Sequence, residues 1–336
     1  MRRAAVLVLV LLARAPSLLA EGAVGGYFSL DFLRGQSAAL APQGSVENIQ
    51  AGLILSGTWS TRLGYALEVR SKENMRFEVE QAWAGFAWSD ALQVKMGIFL
   101  VPFGRFNAAN RPFETPLVRT PIPIAAAFPA SWRELGAMAE GKTGFLRYSA
   151  WIGNGLAEGP DFASGQQFSD NNRNKAWGGR LGLMLDESFE IGGSYFSGKA
   201  DASDERALTK MGADAVWTNG ALRLTAEYVK SEIANPEPVA AGKAEGWFVL
   251  GSYDLGSVNA VVSYQKLSYS DGFHGPGFAG PAGPGLGISD ERRAWTVGLT
   301  AALSAGFVLK AEYDFNREPR LEVKNDVFRA QVAARF

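Results

Sequence analysis

From about residue 26 onward the chain falls into short segments in which apolar and polar side chains alternate. In Leu222-Arg223-Leu224-Thr225-Ala226-Glu227-Tyr228 the apolar set is interleaved with Arg223, Thr225 and Glu227. Leu309-Lys310-Ala311-Glu312-Tyr313-Asp314-Phe315 repeats the pattern, and Arg62, Glu68 and Arg70 alternate with Leu63, Tyr65, Leu67 and Val69. A period of two puts one set on each face of a strand. The pattern predicts strands at about 26–34, 46–57, 61–71, 76–88, 92–101, 134–141, 143–153, 174–185, 188–198, 206–217, 221–232, 243–254, 257–269, 291–302, 305–316 and 325–336. That makes sixteen, most of them close to the ~9–11 residues a tilted strand needs to cross a hydrocarbon layer.

The joints between these segments alternate in length. Ser89-Asp90-Ala91, Asp186-Glu187, Thr218-Asn219-Gly220 and Leu255-Gly256 are tight, and Asn219-Gly220 suits a hairpin because both residues tolerate positive φ. Between them run long polar, Gly/Pro-rich connections at about 35–45, 102–133, 154–173, 233–242 and 270–290. The predicted fold is all-β, a transmembrane antiparallel up-and-down barrel with tight turns on one rim and long loops on the other. A soluble sandwich also alternates, with its polar face in water. The rings argue for lipid: Trp59, Trp83, Trp151, Trp217, Trp247, Tyr195, Tyr228, Tyr264 and Tyr313 lie in or near strands, mostly on the apolar phase, as interfacial girdles do. Beyond residue 20 no run of eighteen apolar residues exists, so any crossing is made by strands.

The two ends point the same way. Met1-Arg2-Arg3, the apolar run Ala4 to Ala13, then Pro16 and Ser17-Leu18-Leu19-Ala20 form the layout of a secretory signal, expected to be cut after Ala20 or after Ala23. The run is short for a retained anchor. The expected organisation is therefore a signal at 1–20 and a barrel at 21–336, with only about five residues before the first strand and no room for a plug. At the other end Phe328, Ala330, Val332, Ala334 and Phe336 share one face. A terminal Phe in phase with such a stripe resembles the last strand of outer-membrane barrels, which implies outer-membrane lipid around the wall and Phe336 as the signal read by the barrel-assembly machinery.

Composition removes other classes. The net charge of −1 becomes more acidic once Arg2, Arg3 and Arg14 leave, so no basic field exists to gather nucleic acid. The absence of cysteine excludes disulfides, thiolate metal sites and a cysteine nucleophile. The sole histidine, His274, sits in the Gly/Pro-rich connection 270–290, a poor place for a rigid catalytic base. Asp161, Asp170, Asp201 and Asp204 fall in long loops with no calcium-loop spacing, and the Gly-Gly pairs precede no helix, as a phosphate loop would require. No enzyme activity, cofactor or metal is expected.

The third long connection carries the candidate chemistry. Gly97-Ile98-Phe99-Leu100-Val101-Pro102-Phe103-Gly104-Arg105-Phe106-Asn107 resembles the porin O and P family, the phosphate-selective porin type. The likeness is specific over about residues 76–125 and architectural elsewhere. It implies a sixteen-stranded barrel, often trimeric, with the third loop folded into the lumen and basic groups near the constriction. The candidate constriction residues are Arg105, Arg111, Glu114, Arg119 and Arg133. Lys95, Arg147, Arg223, Lys310 and Arg329 are the candidate lumen wall, with Arg180, Lys210 and Arg335 on the same phase. Against them stand Glu68, Glu78, Glu80, Glu190, Asp214, Glu227, Glu312 and Asp314. The wall is thus near neutral, and four loop arginines against Glu114 tip it toward small anions. Each arginine has a second reading, in which it braces the loop against wall carboxylates. The expected function is a passive pore for small hydrophilic solutes with weak anion preference; the alternatives are a substrate-specific channel for a carbohydrate or organic acid, and an adhesin without conductance.

Overall fold

Every alternating segment forms a strand, because only a fully paired sheet satisfies backbone groups while presenting apolar side chains to lipid. The computed structural model describes residues 21–72, 76–238, 240–270, 291–319 and 323–336. The first half of the wall is β1 (Glu21–Gly35), β2 (Ser45–Thr58), β3 (Leu63–Lys72), β4 (Arg76–Ser89), β5 (Leu92–Leu100), β6 (Arg133–Thr143), β7 (Leu146–Gly153) and β8 (Ala176–Met184). The second half is β9 (Phe189–Lys199), β10 (Ala207–Asn219), β11 (Leu222–Ile233), β12 (Gly242–Asp254), β13 (Val258–Tyr269), β14 (Glu291–Ser304), β15 (Phe307–Arg317) and β16 (Val327–Arg335). Each pairs antiparallel with its sequence neighbours, and β1 closes on β16 from Tyr27↔Arg335 to Gly35↔Val327. The predicted signal at 1–20 and His274 lie outside the described residues.

The first strand begins earlier than the alternation suggested. Gly25 and Gly26 carry no side chains to show a phase, and Gly26 is needed bare: a Cβ there would lie 2.5 Å from the Phe336 ring. Facing follows the period of two. On β10, Lys210 and Asp214 are buried inward while Met211 is exposed on the outside. Outward rings meet across strands: Trp177 with Tyr195 at 5.3 Å, Trp247 with Tyr264 at 5.4 Å and Tyr264 with Trp295 at 4.8 Å between centroids.

Two rings break the expectation of a girdle. Trp151 is buried and shares the inward phase of Ser149, and Trp83 lies under the Lys95 ammonium, 5.0 Å from its ring centroid. Both turn inward because part of the lumen is itself an apolar core. The connection 101–132 folds inside the barrel, with a 3₁₀ turn at Asn107–Ala109 and a short helix α1 (Ile122–Ala127) packed on β11, β12 and β13. Pro121 and Pro123 suit the start of α1, where N–H groups have no helical acceptor. Its last carbonyl, on Ala127, accepts from Lys210 Nζ at 2.5 Å and Ser231 Oγ at 2.9 Å. Phe103, Phe128 and Trp132 of the loop then pack together, with Trp132 edge-on to Phe196 of β9 at 5.0 Å.

Candidate constriction site

Wall side chains hold the third loop by its backbone. Glu227 of β11 accepts the N–H groups of Arg105 at 2.9 Å and Phe106 at 2.7 Å. Glu312 of β15 accepts those of Val118 at 2.7 Å and Arg119 at 2.9 Å, and Gln265 of β13 accepts that of Ile122 at 2.7 Å. Lys310 donates to the Pro112 carbonyl and, at 3.0 Å, to the Thr115 hydroxyl. Glu227 and Glu312 are almost fully buried, and a carboxylate tolerates that only when donors replace its water. Gly104 of the Pro-Phe-Gly-Arg stretch makes the first clamp possible: its φ is +61°, and a Cβ there would lie 2.3 Å from the Glu227 carboxylate.

The arginines meet carboxylates. Arg105 lies 2.8 Å from Glu190, which also receives Arg180 at 3.0 Å, and Arg180 reaches Asp214 at 2.5 Å. Arg111 pairs with Glu68 at 2.6 Å and Glu114 at 3.2 Å. Arg119 donates to Asp314 at 3.3 Å and Asn316 at 3.0 Å. Arg133 is the first residue of β6 rather than part of the loop. It reaches past the end of β5 to the Val79 carbonyl at 2.8 Å and Glu78 at 3.0 Å, tying β4 to β6 where β5 leaves the wall.

The loop separates two spaces. An inner cavity of about 570 Å³ is lined by Arg105, Arg119, Arg147, Arg180 and Arg223 together with Glu114, Glu140, Glu190 and Glu227. An outer cavity of about 460 Å³ is bounded by the loop and by β2, β3 and β4, including Asn48, Gln50, Arg70 and Glu78. Phe106 borders both, and its backbone is the segment clamped by Glu227.

Of the candidate constriction residues, Arg105, Glu114 and Arg119 line the inner cavity, whereas Arg111 and Arg133 line neither space. Of the candidate wall residues, Arg147 and Arg223 line it. Lys95 is paired with Glu140 at 2.9 Å, Lys310 is buried behind the loop, and Arg329 is half-buried against Asp314. Arg223 is exposed to the cavity and, among the described residues, forms no ion pair. The sequence reading missed Phe106 as the shared border and Glu227, Glu312 and Lys210 as anchors. A glycine at a positive φ inside an otherwise aromatic loop motif was the available signal for the first clamp.

Comparison with known proteins agrees with this architecture. A family model described as Gram-negative porin matches residues 8–320. An uncharacterized protein of Aquifex aeolicus (strain VF5) is 26% identical over 146 residues, covering 41% of this chain and 34% of that relative, so the match spans about a third of the relative's length. Among solved structures, OmpF of Salmonella typhi in complex with daunomycin superposes with a TM-score of 0.68 at 13% identity, covering 94% of this chain and 97% of that one. An anion-selective porin from Comamonas acidovorans gives 0.67 at 11% identity, covering 94% and 98%. The outer membrane channel DcaP of Acinetobacter baumannii gives 0.68 at 9% identity, covering 94% and 97%. Likeness at these identities is one of fold, and the family match carries the assignment. A closed barrel of sixteen antiparallel strands, a loop folded inside it and a family match along most of its length make this chain a member of the Gram-negative porin family, a channel-type barrel of the outer membrane.

Proposed function

We propose that the protein is a passive pore for small hydrophilic solutes and ions with a weak preference for anions, phosphate-like ones included, in keeping with the porin O and P resemblance. The observation that carries the reading is the charge of the inner cavity: five arginines against four carboxylates, with Arg223 unpaired among the described residues. Field lines concentrate where a low-dielectric channel narrows, so one uncompensated charge there outweighs many at the mouths. The other cavity arginines are mostly neutralised by neighbours, which keeps the preference weak. Trimerisation belongs to the same reading, supported by a trimer form of Vibrio cholerae OmpT with a TM-score of 0.62 and 11% identity. So does removal of residues 1–20 as an export signal, supported by the charged start, apolar run and small residues of that segment.

The test is the reversal potential of the purified protein in a planar bilayer under a potassium chloride gradient. Wild type is expected to favour chloride at low salt and to lose the preference near 1 M, where the Debye length falls to ~3 Å. Arg223→Ala should move the potential toward cations. A wild-type pore that favours potassium at low salt overturns the anion reading.

A further inference from the structure

The lining of the inner cavity is polar at one end and apolar beyond it. Inward positions of β11 and β12 stand opposite one another as Arg223↔Ser252, Thr225↔Leu250 and Glu227↔Phe248. Along β12 the lining thus passes from Ser252 to Leu250 and Phe248, both of them buried. Positions two apart on one face lie about 6–7 Å from each other, so a cation and a hydroxyl stand one step from an apolar strip. The third loop adds Phe106, Pro116 and Leu117 to the same lining. That part of the loop is held in place: the Pro116 carbonyl accepts from the Thr300 hydroxyl at 2.6 Å, and Glu312 accepts the N–H groups of Val118 and Arg119.

Most of the cavity's charge is already committed. Arg180 lies over Gly182 and Gly192, where a Cβ would come within 2.9 Å and 2.5 Å of its guanidinium, and it is bonded to both Glu190 and Asp214. Arg105 is held by Glu190, and Arg119 by Asp314 and Asn316. Arg147 is half exposed and lies 3.7 Å from Glu190. The four lining carboxylates are engaged as well. Glu114 is taken by Arg111, Glu140 by Lys95, Glu190 by Arg105 and Arg180, and Glu227 by two loop N–H groups. Of the five cavity arginines, Arg223 alone has no ion pair among the described residues, and it stands at the polar end of the strip.

We propose that the inner cavity is a saturable site for small carboxylic acids with an apolar body, such as a single aromatic ring. Arg223, flanked by the hydroxyl residues Ser252 and Thr225, takes the carboxylate, because the guanidinium fork matches its two oxygens. Leu250, Leu117 and Phe106 take the body. A mostly apolar space with a few placed polar groups is the usual form of a small-molecule site, and about 570 Å³ is within the usual size range. A hydrated inorganic anion gains nothing from the apolar side. An uncharged sugar leaves the Arg223 charge uncompensated. The proposal rests on the pore reading and deepens it by naming a solute class that pauses on its way through.

The experiment is single-channel recording of the full barrel in planar bilayers at fixed potassium chloride, with sodium benzoate added in steps. Acetate, which has the carboxylate without the ring, and benzyl alcohol, which has the ring without the charge, are the controls. With wild type, benzoate should give interruptions of the current that saturate with concentration, at an apparent affinity about tenfold above that of either control. Arg223→Gln should weaken benzoate about tenfold. Leu250→Ala should also weaken benzoate and bring it closer to acetate. Should Arg223→Gln fail to fold, the Leu250 variant and the comparison of the three solutes on wild type carry the test. Benzoate acting no more strongly than either control, or undiminished benzoate action in a folded Arg223→Gln barrel, overturns the proposal. A wild-type pore that favours potassium yet binds benzoate leaves this site standing and overturns only the anion reading. Chloride preference without benzoate action does the reverse.

Discussion

The carboxylate of Glu227, in the wall, accepts the backbone N–H of Phe106, in the loop, at 2.7 Å and thereby fixes the residue that borders both cavities. A charge-assisted bond to main chain positions the loop whatever side chain follows. Glu227→Ala removes the acceptor for two N–H groups, and the unfolding free energy of the refolded barrel should fall by about 1–3 kcal/mol. Single-channel recordings should show a noisier open level. A quiet trace at wild-type conductance would mean that the loop does not need this clamp.

Because Phe106 lines both spaces, its ring is expected to limit the passage between them. Phe106→Ala should raise conductance and admit larger sugars in a liposome-swelling assay, while Phe106→Trp should lower both. Arg111→Ala makes a useful contrast. Its partner Glu68 is buried, so the change should cost stability and leave the reversal potential nearly unmoved. Unchanged solute size limits in Phe106→Ala would place the narrowest point elsewhere.

Between β9 and β10 the loop is organised by Asp201. Partial burial pushes its carboxyl up, but the Ser203 hydroxyl and the N–H groups of Arg206 and Glu205 outweigh that and bring it down to about 2. A depressed value means the contribution is complete above the unfolded carboxylate value of ~3.9 and is lost as pH falls toward the folded one. Amide exchange at Glu205 and Arg206, corrected for the intrinsic rate, should therefore stay protected at pH 5 and lose protection between about pH 4 and 2. Asp201→Asn should remove the pH step; a step of equal size in that variant would assign it to another group.

At the seam, Phe336 exchanges backbone bonds with Gly26 at 2.9 and 3.0 Å, and the residue is 82% exposed. Deleting it should slow assembly in cells and leave more chain in the periplasm for proteolysis. Gly26→Val should do the same from the other strand, since its side chain would meet the ring. Normal insertion yield in both would limit Phe336 to an ordinary end-strand contact.

The wall was legible because lipid on one side enforces a period of two, and that period marked all sixteen strands within a few residues. The inward rings were not. Trp83 and Trp151 look like girdle residues until the third loop brings Phe103, Phe128 and Trp132 into the lumen and makes that side apolar too. The site was half legible. Arg105, Arg119, Arg147 and Arg223 could be placed near the lumen by phase and loop position. Their partners could not, because pairs such as Arg119 with Asp314 join residues 195 apart through closure of the barrel.

Closure also has a kinetic side. Gln331 donates to Asp31 at 2.8 Å across 300 positions, and the rest of the β1–β16 seam is equally remote in sequence. For a flexible chain of that length the entropic cost of bringing the ends together is about 5 kcal/mol, apart from a constant. Hairpins such as β10–β11 face almost none of it, so they can form early, whereas the seam must wait for the last strand to be made. Until then the two terminal strands are unpaired edges, each able to pair with another chain. The interval before closure is therefore when the chain is most exposed to pairing with another copy.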